Sequence, residues 1–399
     1  MNNRRTLLFG TVAAALQSSR LPGANDRIRL GIIGYGARGK ALVRSALQCP
    51  NTEFAGFADV YTERLKESAA VAPQAKTYLD YRRLLEDRSI DAVLIATPQH
   101  LHREHFVAAI EAGKHVYQEK TLAFSVGDAK RMREAYRRAL KLVVQVGHQS
   151  CSSADMVNSL DLLKNEPMGK ITEIVMHQFR NTPHGQPQWS RPVTADMTPE
   201  HIIWNSFLGD APKRAFDPNR YQNWRFFWDY SGGNVYENMC HQLAFWYKAL
   251  NLAVPTTVQM SGGIYLWKDG REVPDTMMVA LEQPEEVLIS WTSGFGNDEL
   301  GSSEHVLGTD GTIARAGNIA YIPQKVTNPQ GTPKTGQKTA PANMHVAHMQ
   351  NFLDGIRNGT TPNCPFELGY RVAIACRMAV DSYRQRRPVR WNPSTEDLA

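Results

Sequence analysis

The stretch from Ile28 to Gly39 constrains this chain more than any other. Ile28-Arg29-Leu30-Gly31-Ile32-Ile33 is a short apolar run, followed at once by Gly34-Tyr35-Gly36-Ala37-Arg38-Gly39. Ala41, Leu42, Ser45 and Ala46 then repeat at helical spacing. Strand, glycine turn and helix form the context in which G-x-G-x-x-G binds a dinucleotide. Gly34 permits the tight turn, Gly36 lets the backbone approach a pyrophosphate, and Gly39 lets the helix lie close to the strand. Ala37 and Arg38 then open a helix whose free N–H groups and positive dipole end suit phosphates.

The next segments extend this reading. Residues 51–59 form a second strand ending in Asp59, 20 residues after Gly39. At that spacing a carboxylate accepts hydrogen bonds from the adenosine ribose. An anion there repels a 2′-phosphate, so NAD is expected over NADP, with Arg64 softening the preference. Helical patterns cover 63–72, 78–87, 104–112 and 126–140. Between them, Ile90–Ala96 is near-continuously apolar, as in a strand buried on both faces of a parallel sheet. Lys114–Gln118 and Leu142–Val146 are two further strands. Ligands of such sheets sit at the carboxyl ends of the strands. Thr97, Pro98, His100 and His102 after one such strand are therefore expected at the cofactor. Glu119 and Lys120 after another strand and Gln149 after a third are further cofactor candidates, although a strand-end lysine read by itself is most often a solvated surface residue. His102 and His105 are three apart on a helix, but no carboxylate or cysteine completes a ligand set nearby, so no metal is expected. The alternation predicts a Rossmann domain with a parallel sheet over 27–148.

From 149 to 399 the texture changes, and a C-terminal α/β domain is expected. Ile171–Arg180 reads as a strand and Val235–Leu250 as a helix. Strands at 256–266, 276–281 and 286–293, with shorter ones to about 322, predict a large open, mostly antiparallel sheet. Residues 324–341 are rich in Pro, Gly, Thr and Lys and read as a flexible surface loop. Helices over 346–357 and 368–385 close the chain. With 399 residues, 42% of them hydrophobic, each domain has material for its own core.

The N-terminal 24 residues read as an export segment to the periplasm or beyond, the alternative being a disordered basic tail on a cytoplasmic protein. Arg4-Arg5 precede the apolar run Leu7–Leu16, which is shorter than the roughly 20 residues of a membrane span. The arginine pair resembles a twin-arginine signal, whose machinery exports folded proteins. Its removal takes three arginines and no acid, lowering the formal charge from +6 to +3, so the basic balance implies no nucleic-acid partner. The five cysteines are scattered beside apolar residues and read as small buried hydrophobes.

Several motifs recur in one order: Gly34–Gly39, Thr97-Pro98-Gln99-His100-Leu101-His102, Glu111–Val116, Glu119-Lys120, and Gly232-Gly233 followed by Glu237 and His241. Together they resemble the glucose-fructose oxidoreductase / inositol dehydrogenase / rhizopine-catabolism (Gfo/Idh/MocA) family over about 27–392. The resemblance implies a Rossmann domain followed by a domain whose open sheet mediates oligomer contacts, hence a homo-oligomer, dimer or tetramer. It implies Lys120, Glu237 and His241 as catalytic residues, with Lys120 beside the nicotinamide. Two departures stand out: Thr121 replaces the family's proline after the lysine, and Glu237 replaces an aspartate.

Glu237 and His241 are four apart on a helix that is apolar nearly all round, so they are expected to meet on one face. They can simply satisfy each other. Alternatively the carboxylate orients a histidine that acts as general base. A lysine at Lys120 would polarise a substrate oxygen. The span 181–231 holds six prolines and four of the eight tryptophans. It is expected to form the substrate cleft, since flat apolar faces beside polar donors suit sugar rings. Arg180, His184, Trp189, Tyr221, Trp224, Arg225 and Tyr236 are its candidate contacts with substrate, together with Lys120 and His241. Trp204 and Phe207, at helical spacing, are expected to be packing.

An exported nicotinamide enzyme needs a cofactor that travels with it, so the NAD is expected to be tightly held. The reaction expected is hydride transfer at a sugar or polyol hydroxyl. The alternative is a redox-neutral glycosidase that oxidises the sugar transiently, eliminates and re-reduces. A non-catalytic binding protein is a third, weaker reading.

Overall fold

The computed structural model describes residues 27–182, 186–339 and 343–399. The expected export segment and His184 lie outside them. The first half alternates as the periodicity requires. It runs β1 (Ile28–Ile33), α1 (Ala37–Ala46), β2 (Thr52–Ala58), α2 (Thr62–Ala69), β3 (Lys76–Tyr78), α3 (Tyr81–Glu86), β4 (Ala92–Ile95), α4 (His102–Glu111), β5 (His115–Gln118), α5 (Val126–Arg138) and β6 (Val144–Val146). The strands are parallel in the order β3-β2-β1-β4-β5-β6. The order reverses between β1 and β4, which opens a crevice at their carboxyl ends. β4 is buried along its whole length because helices cover both faces of the sheet.

The second half comprises α6 (Ala154–Asn165), β7 (Ile171–Asn181), α7 (Trp204–Leu208), α8 (Pro218–Gln222), a π turn (Val235–Met239), α9 (Cys240–Leu250), β8 (Thr257–Gly263), β9 (Thr276–Glu282), β10 (Leu288–Gly294), β11 (Gly296–Gly308), β12 (Gly311–Ala316), β13 (Asn318–Pro323), β14 (Lys334–Thr335), α10 (Met344–Asn358), α11 (Phe366–Gln385), β15 (Val389–Asn392) and β16 (Asp397–Leu398). A ten-stranded sheet runs β14-β13-β12-β11-β7-β10-β9-β8-β15-β16. It is antiparallel except where β10 lies parallel to β7. β9 alternates strictly, with Met277, Val279 and Leu281 buried and Met278, Ala280 and Glu282 exposed, so one face of this sheet is covered and the other is bare.

One apolar cluster joins the two sheets. Ile95 and Val146 of the first sheet, Leu243 of α9, Ile374 and Met378 of α11, and Val279 and Trp291 of the second all belong to it. α11 is apolar nearly all round because it is covered on both sides. α10 instead returns to α1, where Met349, Phe352 and Leu353 complete the cluster on the outer face of the parallel sheet.

Two expectations are corrected. The stretch expected to be a flexible surface loop does lie at the surface, but it is anchored over residues 334–338. β14 pairs with β13, and Asn158 of α6 holds the Lys338 backbone by both its N–H, at 2.8 Å, and its carbonyl, at 2.9 Å. The continuous helix expected over 235–250 begins as a π turn, in which the Cys240 N–H donates to the Val235 carbonyl five residues back. The cysteines are all buried and free. No helix among the described residues is long and apolar enough to cross a membrane.

Candidate active site between the two sheets

The glycine turn folds as its residues dictate. Gly34 has φ +93°, a backbone conformation that side chains rarely adopt. A Cβ on Gly39 would stand 2.1 Å from the Gly34 carbonyl oxygen, so only glycine lets α1 start this close to β1. At Gly36 the constraint differs: the nearest protein atom to an added Cβ is an Arg64 nitrogen 3.6 Å away. What a side chain there would fill is cavity. The N-terminus of α1 carries neither a side-chain cap nor an acidic residue in its first turn, so its N–H groups are free for an anion.

A cavity of about 400 Å³ opens over this turn. Its floor is Gly34, Gly36, Ala37, Arg38, Asp59, Thr97 and Pro98. Asp59 is 6% exposed and is fixed by the Tyr35 N–H at 2.7 Å and the Tyr61 N–H at 3.0 Å. Arg64 stands 3.7 Å from it and lies over the rings of Tyr61 and Tyr221. These residues fit a dinucleotide: a glycine cradle, an open helix end and a buried carboxylate at the end of β2.

The opposite wall comes from the second half of the chain and includes Arg191, Phe207, Tyr221, Trp224 and Arg225. The aromatic span expected to form a sugar cleft is thus divided between this wall, a packed core and, through Trp224 and Arg225, a second cavity. Much of it is a core of its own, in which Tyr61, Trp204, Phe207, Tyr221, Phe227 and Tyr230 pack together, with Trp204 stacked on Phe207 at 5.1 Å. Trp189 packs edge-on against Phe295 and forms no part of either cavity wall.

A second cavity of about 390 Å³ shares Arg38, Ala96, Thr97, Trp224 and Arg225 with the first. Glu119, Lys120, Gln149, Glu237 and His241 line it. Glu119 accepts from Arg38 at 2.8 Å, from the Lys120 N–H at 3.2 Å and from Gln149 at 3.3 Å. The peptide joining Lys120 to Thr121 is cis. Thr121 donates to the Tyr236 carbonyl at 2.9 Å, and the Lys120 ammonium donates to the Glu237 carboxylate at 2.8 Å. Glu237 also accepts from Gln99 at 2.7 Å and stands 3.2 Å from Arg225. Burial opposes its charge, but Arg225 and Lys120 outweigh burial and hold its carboxyl down at about 2.

The expected Glu237–His241 pair does not form. The π turn between them shifts the phase of the helix, and Glu237 turns to Lys120, Arg225 and Gln99 instead. His241 meets His148 edge-on, ring centres 5.5 Å apart. Burial, and then the charge of Lys120, push the His241 imidazole well below its ordinary range, so it is neutral near pH 7. A fixed ammonium and a neutral imidazole on one cavity wall can donate to, and take a proton from, the same hydroxyl.

Other expected residues sit elsewhere. His100 bonds the Phe207 carbonyl at 2.7 Å, and burial pushes it down to about 4. His102 lies between the carbonyls of Thr121 and Thr97, at 2.8 and 3.0 Å. Both hold loops behind the turn and line neither cavity. Tyr236 is fully buried, its hydroxyl donating to the Phe124 carbonyl. Arg180 bonds Asn238 at 3.0 Å, outside the walls of both cavities. Sequence reasoning missed Gln99, which ties Glu237 to the Gly232 N–H at 3.0 Å. Its signal was its place in the same strand-end turn as Thr97.

Comparison with known proteins agrees with this geometry. Residues 28–148 match the model of an oxidoreductase family with an NAD-binding Rossmann fold, and residues 210–390 match the C-terminal alpha/beta domain of the same family. Myo-inositol 2-dehydrogenase of Thermotoga maritima is 32% identical over 112 residues, which are 28% of this chain and 34% of that protein. The 1,5-anhydro-D-fructose reductase of Ensifer adhaerens is 31% identical over 195 residues, 47% of this chain and 58% of its own. The chain thus aligns with a third to just over half of these relatives' length. Among solved structures, levoglucosan dehydrogenase in complex with NADH and levoglucosan superposes with a TM-score of 0.70 at 19% identity, covering 91% of this chain and 99% of that one. Aldose-aldose oxidoreductase from Caulobacter crescentus gives 0.68 at 19% identity, with the same coverage of both chains.

Proposed function

The chain belongs to this oxidoreductase family, and on that premise we propose that it transfers hydride at a hydroxyl of a sugar or cyclic polyol, with NAD as its cofactor. One observation carries the reading: Lys120, locked by Glu237, and the neutral His241 line a cavity that shares a wall with the NAD cavity. NAD, held by Gly34, Gly36, Ala37, Arg38 and Asp59, supplies the hydride acceptor. Lys120 donates a hydrogen bond to the reacting oxygen and stabilises the negative charge that develops there. His241 takes the hydroxyl proton, or returns it in the reverse direction. Glu237 does not act on His241 in this scheme; it positions Lys120.

The relatives named above are dehydrogenases, reductases and oxidoreductases, which favours net oxidoreduction over redox-neutral glycoside cleavage. The twin-arginine pattern supports export with the NAD already bound, and the wall built by Tyr221, Trp224 and Arg225 supports tight retention. The bare face of the second sheet, with Met278 and Leu288 exposed, supports a homo-oligomer.

The decisive experiment is to purify the protein, denature it, identify the released nucleotide, and then follow nicotinamide absorbance with myo-inositol, anhydro sugars and aldoses. Bound NAD that is reduced by one of these supports the reading. Sugar release from aryl glycosides with no net change in absorbance replaces it with the glycosidase. Cell fractionation tests export, and light scattering tests oligomerisation.

A further inference from the structure

Arg191 lines the NAD cavity from the second half of the chain, while the glycine turn lines it from the first. Its backbone is gripped from both sides by Asn223, whose side chain accepts from the Arg191 N–H at 2.8 Å and donates to the Arg191 carbonyl at 3.1 Å. Asn223 is itself 5% exposed and holds Asn219 at 2.8 Å, so the position is built rather than incidental. The Arg191 guanidinium, by contrast, has no hydrogen bond or ion pair among the described residues.

Its charged neighbours make this unusual. Arg64 has Asp59 as counter-ion, and Arg225 shares Glu237 with Lys120. Arg191 is within electrostatic reach of both arginines and has no acid of its own; burial first, then Arg225 and Arg64, push it below the ordinary arginine range. Every other arginine lining this cavity has a carboxylate partner, so Arg191 is the one left, among the described residues, to meet an anion from outside. Arg64 marks the adenosine end, beside Asp59, and Arg225 marks the reacting end, beside Glu237. Arg191 lines the same cavity as both, together with the Gly34–Arg38 turn that a pyrophosphate would meet. In that turn, the N-terminus of α1 is also without an acid.

We propose that Arg191 binds the pyrophosphate of NAD from the second half of the chain, while the glycine turn meets it from the first. The proposal rests on the NAD reading above. A planar guanidinium suits two phosphate oxygens, where a lysine would supply only a point charge. The cofactor is thereby held from two separate parts of the fold, and release requires that wall to open.

The test compares wild type, Arg191→Gln and Arg191→Lys by calorimetric titration of the nucleotide-stripped protein with NAD, ADP-ribose, adenosine and NADP, with thermal melting as a check on folding. Arg191 is an exposed residue, so neither substitution disturbs a core. The expected result is that Arg191→Gln raises the Kd for NAD and for ADP-ribose by the same factor, about 10- to 100-fold, and leaves adenosine unchanged. Arg191→Lys recovers part of the loss. Unchanged NAD and ADP-ribose affinities overturn the proposal. A loss confined to NADP also overturns it and moves Arg191 to a 2′-phosphate. A wild-type protein that binds neither dinucleotide overturns the NAD reading itself, which is a different failure.

Discussion

Most of the floor of the nucleotide cavity comes from one short stretch: Gly34 to Asp59 spans 26 residues of chain, and Thr97 and Pro98 of the next strand-end turn complete it. The reaction chamber beside it is assembled from far apart, with Lys120 bonded to a carboxylate 117 residues away. The floor works through the absence of side chains, the chamber through charged side chains that hold one another. A floor of that kind is damaged by adding atoms. A chamber of that kind is damaged by removing a charge. If the two are functionally separate, a substitution in one should leave the other's readout nearly intact.

The largest effect is expected in the chamber. Lys120→Ala should lower kcat by about a thousandfold while NAD affinity stays within about threefold. Stopped-flow turnover and nucleotide titration on the same sample check both halves. A comparable loss of NAD binding would show that chamber and floor are not separable.

Glu237 tests how the chamber is held. Glu237→Gln removes the charge shared by Lys120 and Arg225 and should cost about a hundredfold in kcat, with little change in KM. Glu237→Asp keeps the charge and should recover most of that loss. A merely structural role would show instead as similar falls in melting temperature and kcat for both variants.

The contrast between the regions also explains what the sequence could tell. Gly34–Gly39 and Asp59 are legible because their chemistry is local: each glycine answers to a neighbour fixed by the same turn. Most of the parallel sheet is legible because its inner strands are largely apolar and regularly spaced; the edge strand β3, Lys76-Thr77-Tyr78, is polar and mostly exposed and gives no such signal. Lys120 and His241 were placed through a family resemblance; spacing alone leaves Lys120 an ordinary strand-end lysine. The Glu237–His241 pair failed because a π turn inserts a phase shift that an i, i+4 count cannot register. The span 181–231 was only partly legible, because tryptophan, tyrosine and arginine have the same composition in a sugar cleft, in a nucleotide wall and in a core. Which of these forms depends on tertiary partners such as Tyr61, on another element altogether.

The floor should break in the opposite way. Gly39→Ala places a methyl group 2.1 Å from the Gly34 carbonyl oxygen, and the backbone must move to admit it. NAD affinity should fall by more than about tenfold and stability by about 1–3 kcal/mol, the usual cost of overpacking. Activity at saturating NAD should be largely retained. Asp59→Asn is gentler: it removes the charge but not the shape. NAD should weaken about tenfold, and discrimination against NADP should narrow. Undiminished preference for NAD would move the specificity to Arg64 and its neighbours.

The smallest effect concerns the group that joins the chamber to the core. His148 is fully buried, packs edge-on to His241, and has no hydrogen-bond partner for either ring nitrogen among the described residues. Burial first, then Lys120 and His348, push it down to about 3 from an ordinary value of 6.5. Between those values the unfolded chain binds a proton that the folded chain refuses, so stability is intact above the higher value and falls as pH drops below it. His148→Leu removes this proton-binding difference and leaves the other buried histidines in place. The variant should therefore lose about 1 kcal/mol less than wild type between about pH 7.5 and about pH 5.5 in urea unfolding. Equal losses in the two proteins would mean that His148 is reached by a water or a ligand group that takes up its proton. It would then belong to the reaction chamber rather than to the core behind it.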